Sequence, residues 1–434
     1  ASYTAAWFDG MRPGLGTLNL STDLRIRSGF NGGFYYQYAG AQPDLGFQYS
    51  GGTVRNDTTF YQECVSTIGN NPGAAVFSFV DVNGASAEVQ TNYANWFSYY
   101  RTRMLAMKSA AGRAFAGVND SFRVGFMTIN SPNNYGLLNI APFTPANKTA
   151  WYNRFYGINQ RSYSTPLRTS LNRAGQLYQN GTMPDITGET DPVTHECQKN
   201  FTLLSTDGKW NDSYTGTNNR DLTVPVLPVA VTGLSPGQPW PFPIREGTTA
   251  TSNTLADIAL RYWATDLRAA MTNNVPADPA DPASWQHMTT YTLGFGVKGT
   301  LDYPGALPGL TAGTTRWPTP VSNADTTVDD LWHAGINGFG GYLSAQDPNE
   351  LVTSLQSMLS DLGSRVTSSS SVAANTTQLN TGARIYRARF DSGDWSGQLQ
   401  SFKLSSVGAI SAGFEWDASD KLALRAGNSS DSRM

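Results

Sequence analysis

Charge, cysteine and long apolar runs are all scarce in this sequence of 434 residues. Charged residues make up 15% of the chain, and the formal net charge is −3. Lysine and arginine are scattered, so the sequence predicts no basic patch for nucleic acid or an anionic membrane. No stretch approaches the roughly 18 consecutive apolar residues that a membrane-spanning helix needs. We therefore expect neither nucleic-acid binding nor membrane insertion.

The two cysteines, Cys64 and Cys197, lie far apart in the sequence. They lack the close spacing of a zinc knuckle or a redox CxxC motif, and we expect one long-range disulfide between them. Such a bond would stabilise the fold by roughly 4–5 kcal/mol and persists in oxidising compartments. Two buried free thiols are the alternative. The disulfide interpretation predicts an exported protein.

The segment 1–87 is rich in glycine, tyrosine and asparagine and shows no helical period. We expect an irregular β-rich segment or insertion there. Exposed tyrosines anchor partners at low entropic cost, so the segment contains a candidate adhesion surface. Packing of the same rings against the parent sheet is the alternative. The candidate surface consists of Phe34, Tyr35, Tyr36 and Tyr38.

Strands and helices alternate over residues 88–364, which predicts an α/β domain with a doubly wound sheet and helices on both faces. Apolar residues recur at steps of three and four from Trp96 to Phe115 and predict one amphipathic helix there. Thr165 is the expected N-cap of a second helix, because Pro166 follows at the first helical position. Further helices are predicted to begin at Thr254 and Asp347, and strands are predicted at 122–129, 135–143, 200–205 and 291–297.

Residues 365–434 form the third predicted region. A linker rich in serine and threonine begins it, and the segments 384–390 and 398–404 then pair as β strands. These strands are too few to bury a core of their own. We therefore expect the natural protein to continue past Met434.

Two features that suggest an enzyme lack the context that catalysis needs. The segment 294–299 matches GxGxxG, but it lies in a strand and precedes no helix N-terminus that could receive a phosphate. The three histidines, His195, His287 and His333, are far apart, and neither HExxH nor GxSxG occurs. We expect core or surface histidines and a protein that is not an enzyme, although distant residues can still meet in a fold.

Thr165 and Asp207 are a more informative pair. Both are expected at one edge of the predicted sheet, where open α/β sheets bind ligands, and Asp207 follows the strand 200–205 directly. A hydroxyl and a carboxylate are ligands that hard cations accept. The alternative assigns Thr165 a capping role only and Asp207 a turn role only, before Gly208.

Several longer strings decide between these interpretations. They lie at 92–105, 165–168, 197–208, 240–246, 251–257, 285–288 and 391–397. The strings resemble, in the same order, the PilY/PilC family of type IV pilus proteins, and the resemblance runs from about Phe60 to the end of the chain.

The resemblance implies a von Willebrand A-like domain followed by a β-propeller, of which only the first strands are present. It also implies a non-enzymatic role at the pilus tip, in assembly with minor pilins and in adhesion to a host-cell or abiotic surface receptor. The expected location is exported, through the periplasm to the pilus tip, cell surface or outer membrane.

Such domains bind Mg²⁺ or Ca²⁺ at an adhesion site made of a DxSxS motif, a threonine loop and an aspartate loop. Thr165 and Asp207 match the last two parts, whereas the chain contains no DxSxS. We expect the motif either before Ala1 or in a degenerate form at Asp81 and Asn83. With so few oxygen ligands, weak metal binding is expected.

Overall fold

The computed structural model of the chain describes residues 1–24, 31–38, 77–130, 137–158, 164–234, 237–247, 249–367, 372–374, 384–391, 396–403 and 415–418. The chain divides into two compact units. The smaller unit comprises residues 1–112 and 152–158, and the larger unit comprises 113–151 and 159–434. The domain boundaries predicted after residues 87 and 364 stay predictions.

Two small antiparallel sheets and a helix belong to the smaller unit. The first sheet pairs β1 (Ala6–Trp7) with β2 (Thr17–Leu18), and the second pairs β3 (Phe34–Tyr38) with β4 (Phe77–Asp81). Helix α1 (Ala87–Tyr99) follows and packs through Ala94 and Phe97 against β1 and its neighbours. The Ser86 hydroxyl accepts from the backbone N–H of Val89 at 3.4 Å and caps this helix.

The single helix predicted from Trp96 to Phe115 is wrong. The structure has α1 and a second helix, α2 (Arg103–Phe115), separated at 100–102. Arg101 Nη1 donates to the carbonyl of Phe97 and ends α1, and the hydroxyl of Thr102 accepts from Leu105 N at 3.2 Å and caps α2. Apolar spacing continues across this break, so periodicity alone does not detect it.

A three-stranded parallel sheet forms the centre of the larger unit. Its order is β7 (Phe201–Thr206), β8 (Thr289–Phe295) and β9 (Phe339–Ala345). All seven residues of the central strand β8 are buried, as expected for a strand covered on both faces. The segment 294–299 ends this strand, and the next helix along the chain is α6 (Leu307–Ala312), so no helix directly follows its glycines.

Helices cover both faces of this sheet. On one face pack α4 (Leu167–Asn180), α5 (Leu255–Ala264) and α7 (Thr326–Asn337), whose apolar side chains meet those of Leu204 and Tyr342. On the other face, α8 (Pro348–Thr367) packs against residues from all three strands. Successive residues of β9, Tyr342 and Leu343, face opposite layers. The predicted α/β class is therefore confirmed.

The remaining elements surround this core or follow it. Strands β5 (Arg123–Phe126) and β6 (Leu138–Pro142) pair as the hairpin that the sequence predicts. The sequence gives no prediction of α3 (Pro145–Gly157), α7 or β9. Near the end of the chain, four antiparallel strands pair in sequence order. They are β10 (Val372–Ala374), β11 (Arg384–Asp391), β12 (Ser396–Lys403) and β13 (Trp416–Asp417).

Local capping signals fix the starts of two helices of the larger unit. Thr254 and Asp257 form a reciprocal capping box on α5, as predicted. Asp347 accepts from the backbone N–H of Asn349 and Glu350 and caps α8, also as predicted. None of the helices in the described ranges is both long and apolar enough to span a membrane.

Helix α7 crosses β9 at a very short distance, and Gly335 makes this possible. A Cβ atom at Gly335 would lie 2.7 Å from the backbone carbonyl of Gly341. The neighbour is backbone rather than a flexible side chain, so the helix would have to move. We expect Gly335→Ala to lower the free energy of unfolding by about 2 kcal/mol, measured by chemical denaturation.

Gly117→Ala is the matched control for this substitution. Gly117 is exposed, and a Cβ there would contact nothing within 4 Å. We expect the control to be neutral or slightly stabilising. Equal stability of the two variants would contradict the close crossing.

Candidate functional site

Strand β7 ends at a tight turn that presents Asp207 to solvent. The hydroxyl of Thr206 accepts from the backbone N–H of Gly208 at 3.1 Å and so closes the turn. Asp207 is exposed, whereas Thr206 is buried. The turn therefore lies at the carboxyl edge of the parallel sheet, where the sequence predicts a ligand site.

Thr165 lies beside this turn. Its Oγ1 would be 3.3 Å from a Cβ atom built on Gly208. The backbone of Thr165 is bound to Asn211, because Thr165 N donates to Asn211 Oδ1 at 2.8 Å and Asn211 N donates to the Thr165 carbonyl at 3.3 Å. The structure thus brings together Thr165 and the Asp207–Gly208 turn.

Thr165 is not the N-cap of α4, contrary to the prediction. Pro166 occupies that position and gives no side-chain cap. The carboxylate of Asp212 caps the helix instead, since its Oδ2 accepts from Thr169 N at 2.8 Å and from Thr169 Oγ1 at 2.7 Å. A negative charge at a helix N-terminus is favourable. The hydroxyl of Thr165 is consequently not used in capping.

Arg168 fixes the loop that carries Asp212. Its Nε donates to Asp212 Oδ1 at 3.2 Å, and its guanidinium lies 3.8 Å from the centre of the Trp210 ring. Both partners of this ion pair are largely buried. The loop 207–212 is therefore held by contacts that depend on α4.

Asp330 of α7 holds the same loop from inside the protein. Its carboxylate accepts from Trp210 Nε1 at 2.9 Å and from the backbone N–H groups of Leu255 and Ala256 at 2.9 and 3.1 Å. Burial raises the pKa of Asp330 to about 6, although these donors favour the ionised form. One carboxylate thus caps α5 and anchors Trp210.

A second group of buried acids lies around Asp221. The amide of Asn219 donates to both Asp221 and Glu246, and Asn337 Nδ2 donates to Asp221 Oδ2 at 3.4 Å. His333 Nε2 lies 3.7 Å from the same oxygen but donates to the Ile244 carbonyl at 2.7 Å.

Burial governs the titration of this group. Burial, and then the charges of Asp257, Glu246 and Asp330, raises the pKa of Asp221, and burial also raises the pKa values of Glu246 and Asp257. Burial lowers the pKa of His333 to about 3. The ring of His333 is therefore neutral, and it offsets none of the negative charge that these acids would carry when ionised.

The two remaining histidines have no catalytic arrangement in the described part of the chain. His195 is exposed. His287 is buried, with its ring nitrogens 2.7 Å from the Trp285 carbonyl and 3.0 Å from Asp281 Oδ2. Burial acts to raise the pKa of Asp281, but hydrogen bonds from His287, Thr289 and Trp263 outweigh it and bring the pKa to about 2.

Asp81 and Asn83, the alternative metal ligands, have structural contacts in the smaller unit. Asp81 Oδ1 accepts from Asn83 N at 2.8 Å and caps a short 3-10 helix. The side chain of Asn83 accepts from the Tyr3 hydroxyl at 2.9 Å and donates to the Ser21 carbonyl at 3.2 Å. Both the oxygen and the nitrogen of the Asn83 side-chain amide thus make structural hydrogen bonds.

A complete metal site does not follow from these positions. Thr165 and Asp207 offer a hydroxyl and a carboxylate, whereas Ca²⁺ and Mg²⁺ take at least six oxygen ligands, waters included. Within the described ranges, no cluster of three or more histidine, cysteine, aspartate or glutamate side chains is placed to hold a metal ion. The described residues alone do not complete the metal site that the resemblance implies, and metal binding at Thr165 and Asp207 stays a prediction.

The candidate adhesion surface and the disulfide are described only in part. Tyr35 of β3 is 38% exposed, and Phe34 is half-buried. Tyr36 and Tyr38 belong to the same strand, but their side chains lie outside the described residues. Cys197 is exposed, and Cys64 lies outside the described residues. Both interpretations stay predictions.

Comparison with known proteins identifies the relatives of the chain. Three curated proteins match it, each named type IV pilus biogenesis factor PilY1, from Pseudomonas aeruginosa strains PAK, PAO1 and UCBPP-PA14. The PAK protein is 30% identical over 93% of this chain, the PAO1 protein 28% over 93%, and the UCBPP-PA14 protein 30% over 98%.

The chain belongs to the PilY/PilC family. It spans 37% to 38% of the length of these relatives. No protein-family model and no solved structure matches it. The PilY/PilC resemblance that rested on the strings between residues 92 and 397 is therefore confirmed over nearly the whole chain.

Sequence patterns did not identify the acidic residues whose hydrogen bonds connect the loops and helix ends of this PilY/PilC chain. Asp330 and Asp221 carry the buried polar contacts, and Asp212 caps α4. A signal for Asp330 exists, because two adjacent acids, Asp329 and Asp330, interrupt an apolar helical segment. Charged residues within such a segment are seldom buried without partners. No local signal marks Asp212, whose partner lies 43 residues earlier.

We expect Asp330→Asn to lower the free energy of unfolding by about 3 kcal/mol. The amide replaces one acceptor oxygen with a donor group, which would face N–H groups of Trp210, Leu255 or Ala256. Chemical denaturation followed by tryptophan fluorescence measures the effect. Asp120→Asn, at an exposed aspartate, is the control and should leave the midpoint unchanged. An unchanged midpoint for both variants would show that Asp330 is dispensable.

Asp330 and the acids around Asp221 should each make stability fall as pH rises above about 4. A carboxyl whose pKa is raised keeps its proton in the folded state, while the unfolded chain releases it above about pH 4. For Asp330 this loss of folding stability continues up to about pH 6. The acids around Asp221 continue it to higher pH.

The substitution Asp221→Asn isolates the contribution of the Asp221 carboxyl to the pH dependence of stability, because the introduced amide stays neutral at every pH. The variant should gain stability relative to the natural protein by up to about 1.4 kcal/mol per pH unit above pH 4. Urea denaturation at several pH values measures this difference. A difference that does not change with pH would refute a raised pKa for Asp221.

Proposed function

We propose that this chain is part of a type IV pilus biogenesis factor. The observation that carries the proposal is the similarity to three proteins of that name over 93% to 98% of the chain. Because the chain spans little more than a third of those relatives, the activity of the whole protein is part of the proposal. The proposed location is exported, at the cell surface or the pilus.

We further propose that the larger unit is a von Willebrand A-like module that contributes to adhesion at the pilus tip. Its support is the parallel sheet with helices on both faces and the position of Thr165 beside the Asp207–Gly208 turn. A hydroxyl and an exposed carboxylate at the carboxyl edge of a sheet suit contact with a partner. A Mg²⁺ or Ca²⁺ ion there would need ligands from outside the described residues.

The proposed partners are minor pilins and a receptor on a host cell or an abiotic surface. The exposed Tyr35 supports a contact surface in the smaller unit. The proposed disulfide between Cys64 and Cys197 suits an extracellular location. We propose no catalytic role, a view supported by the structural partners of His287 and His333.

A structural module that displays a β-propeller is the second candidate. The four antiparallel strands β10 to β13, which pair in sequence order, favour it. A propeller blade is a four-stranded sheet of this kind. In this function the larger unit supports the propeller, and its sheet edge contacts no receptor.

Gene deletion followed by complementation tests these functions. Deletion should abolish surface pili and attachment, and the natural gene should restore both. A strain complemented with Asp207→Ala should regain pili, because Asp207 is exposed, but should lose most attachment. Pili are counted by electron microscopy, and attachment is measured on a coated surface.

Asp120→Ala, at another exposed aspartate, is the matched control and should restore both properties. Normal pili in the deletion strain would contradict the biogenesis function. Full attachment of the Asp207→Ala strain would favour the structural module over the adhesin.

A further inference from the structure

Two loops of the larger unit are tied together beside α7. Trp317 Nε1 donates to the carbonyl of Pro243 at 2.8 Å, and the Trp317 ring stacks on His333 with centroids 4.4 Å apart. Trp317 is buried. The loop 241–247 and the turn 313–317 are therefore fixed relative to each other.

This junction places two arginines on one phenyl ring. The Cζ atoms of Arg245 and Arg316 lie 4.4 and 4.3 Å from the centroid of Phe242. Gly313 allows the approach, because a Cβ there would lie 2.6 Å from the Phe242 ring and the φ of Gly313 is +71°. Two like charges repel, and the shared ring offsets part of that repulsion through cation–π contact. We call Phe242, Arg245 and Arg316 the arginine pair site.

Neither arginine has an acidic partner among the residues that the structure describes. Arg245 Nε is buried, and no described residue accepts a hydrogen bond from it. Glu246, the next residue, turns its carboxylate away, towards Asn219 and the backbone N–H of Thr251. Buried donors are usually paired in proteins, and two guanidiniums that contact one ring concentrate positive charge there. An anionic acceptor suits this combination of donor and charge.

The exposure of the two arginines suits a ligand that arrives from solvent. Arg316 is exposed and Arg245 is half-buried. The fixed fork of N–H donors in a guanidinium matches the two oxygens of a carboxylate or a phosphate. We propose that the arginine pair site binds an oxyanion group, a carboxylate of an acidic segment or a phosphate. This inference does not rest on the proposed pilus function.

Isothermal titration of the full chain at low salt tests the site with two probes, a hexaglutamate peptide and inorganic phosphate. One saturable site is expected for at least one probe, and the probe that binds identifies the source of the oxyanion. Arg245→Gln and Arg316→Gln should each weaken binding by roughly tenfold or more, because each removes one charge-assisted contact. Arg245→Lys should weaken it by several fold, because the charge stays and the fork is lost.

Arg113→Gln is the matched control, since Arg113 is exposed and contacts no aromatic ring or acid within the described ranges. It should bind like the natural chain. Arg316→Gln keeps the test valid if a change at half-buried Arg245 impairs folding, which melting curves would reveal. Absence of saturable binding by both probes, or equal weakening in Arg113→Gln and Arg316→Gln, would overturn the proposal.

Discussion

The buried carboxylate of Asp330 is the contact on which the arrangement of the larger unit depends. It belongs to α7, yet its three hydrogen bonds come from the first turn of α5 and from Trp210, which follows β7. A buried charge is costly unless donors surround it. Helix α7, helix α5 and the segment that contains Trp210 are therefore linked through a single side chain. Loss of any one of these contacts would leave a buried charge or a donor unpaired.

The candidate site follows from this arrangement. Trp210, held by Asp330, supports the guanidinium of Arg168, which in turn fixes Asp212. The loop 207–212 then has little freedom, and Asn211 holds the backbone of Thr165 beside Gly208. A half-buried threonine and an exposed aspartate are thus positioned from the core outwards. Rigid support of this kind is what a recognition site on a sheet edge requires.

Sequence predicted the parts of this structure that depend on neighbours in the chain. The strands β7 and β8 follow from apolar runs, and the caps of α5 and α8 follow from residues within three positions. The turn at Asp207 and the nearby Thr165 follow from strand order. Helix α7 was missed because it is buried on nearly every side, and its buried positions include the polar residues Asp329, Asp330 and His333. Asp330 and Asp212 were missed because their partners are distant in sequence.

The distant cap of α4 has a consequence for the order of folding. A helix whose first turn lacks a local cap gains little from forming alone, since nucleation is unfavourable. Asp212 reaches Thr169 only after the chain has been synthesised and folded back over 43 residues. Long-range contacts of this kind form late because loop closure must come first. The start of α4, and with it the backbone position of Thr165, therefore depends on the loop 207–212 having closed onto the helix.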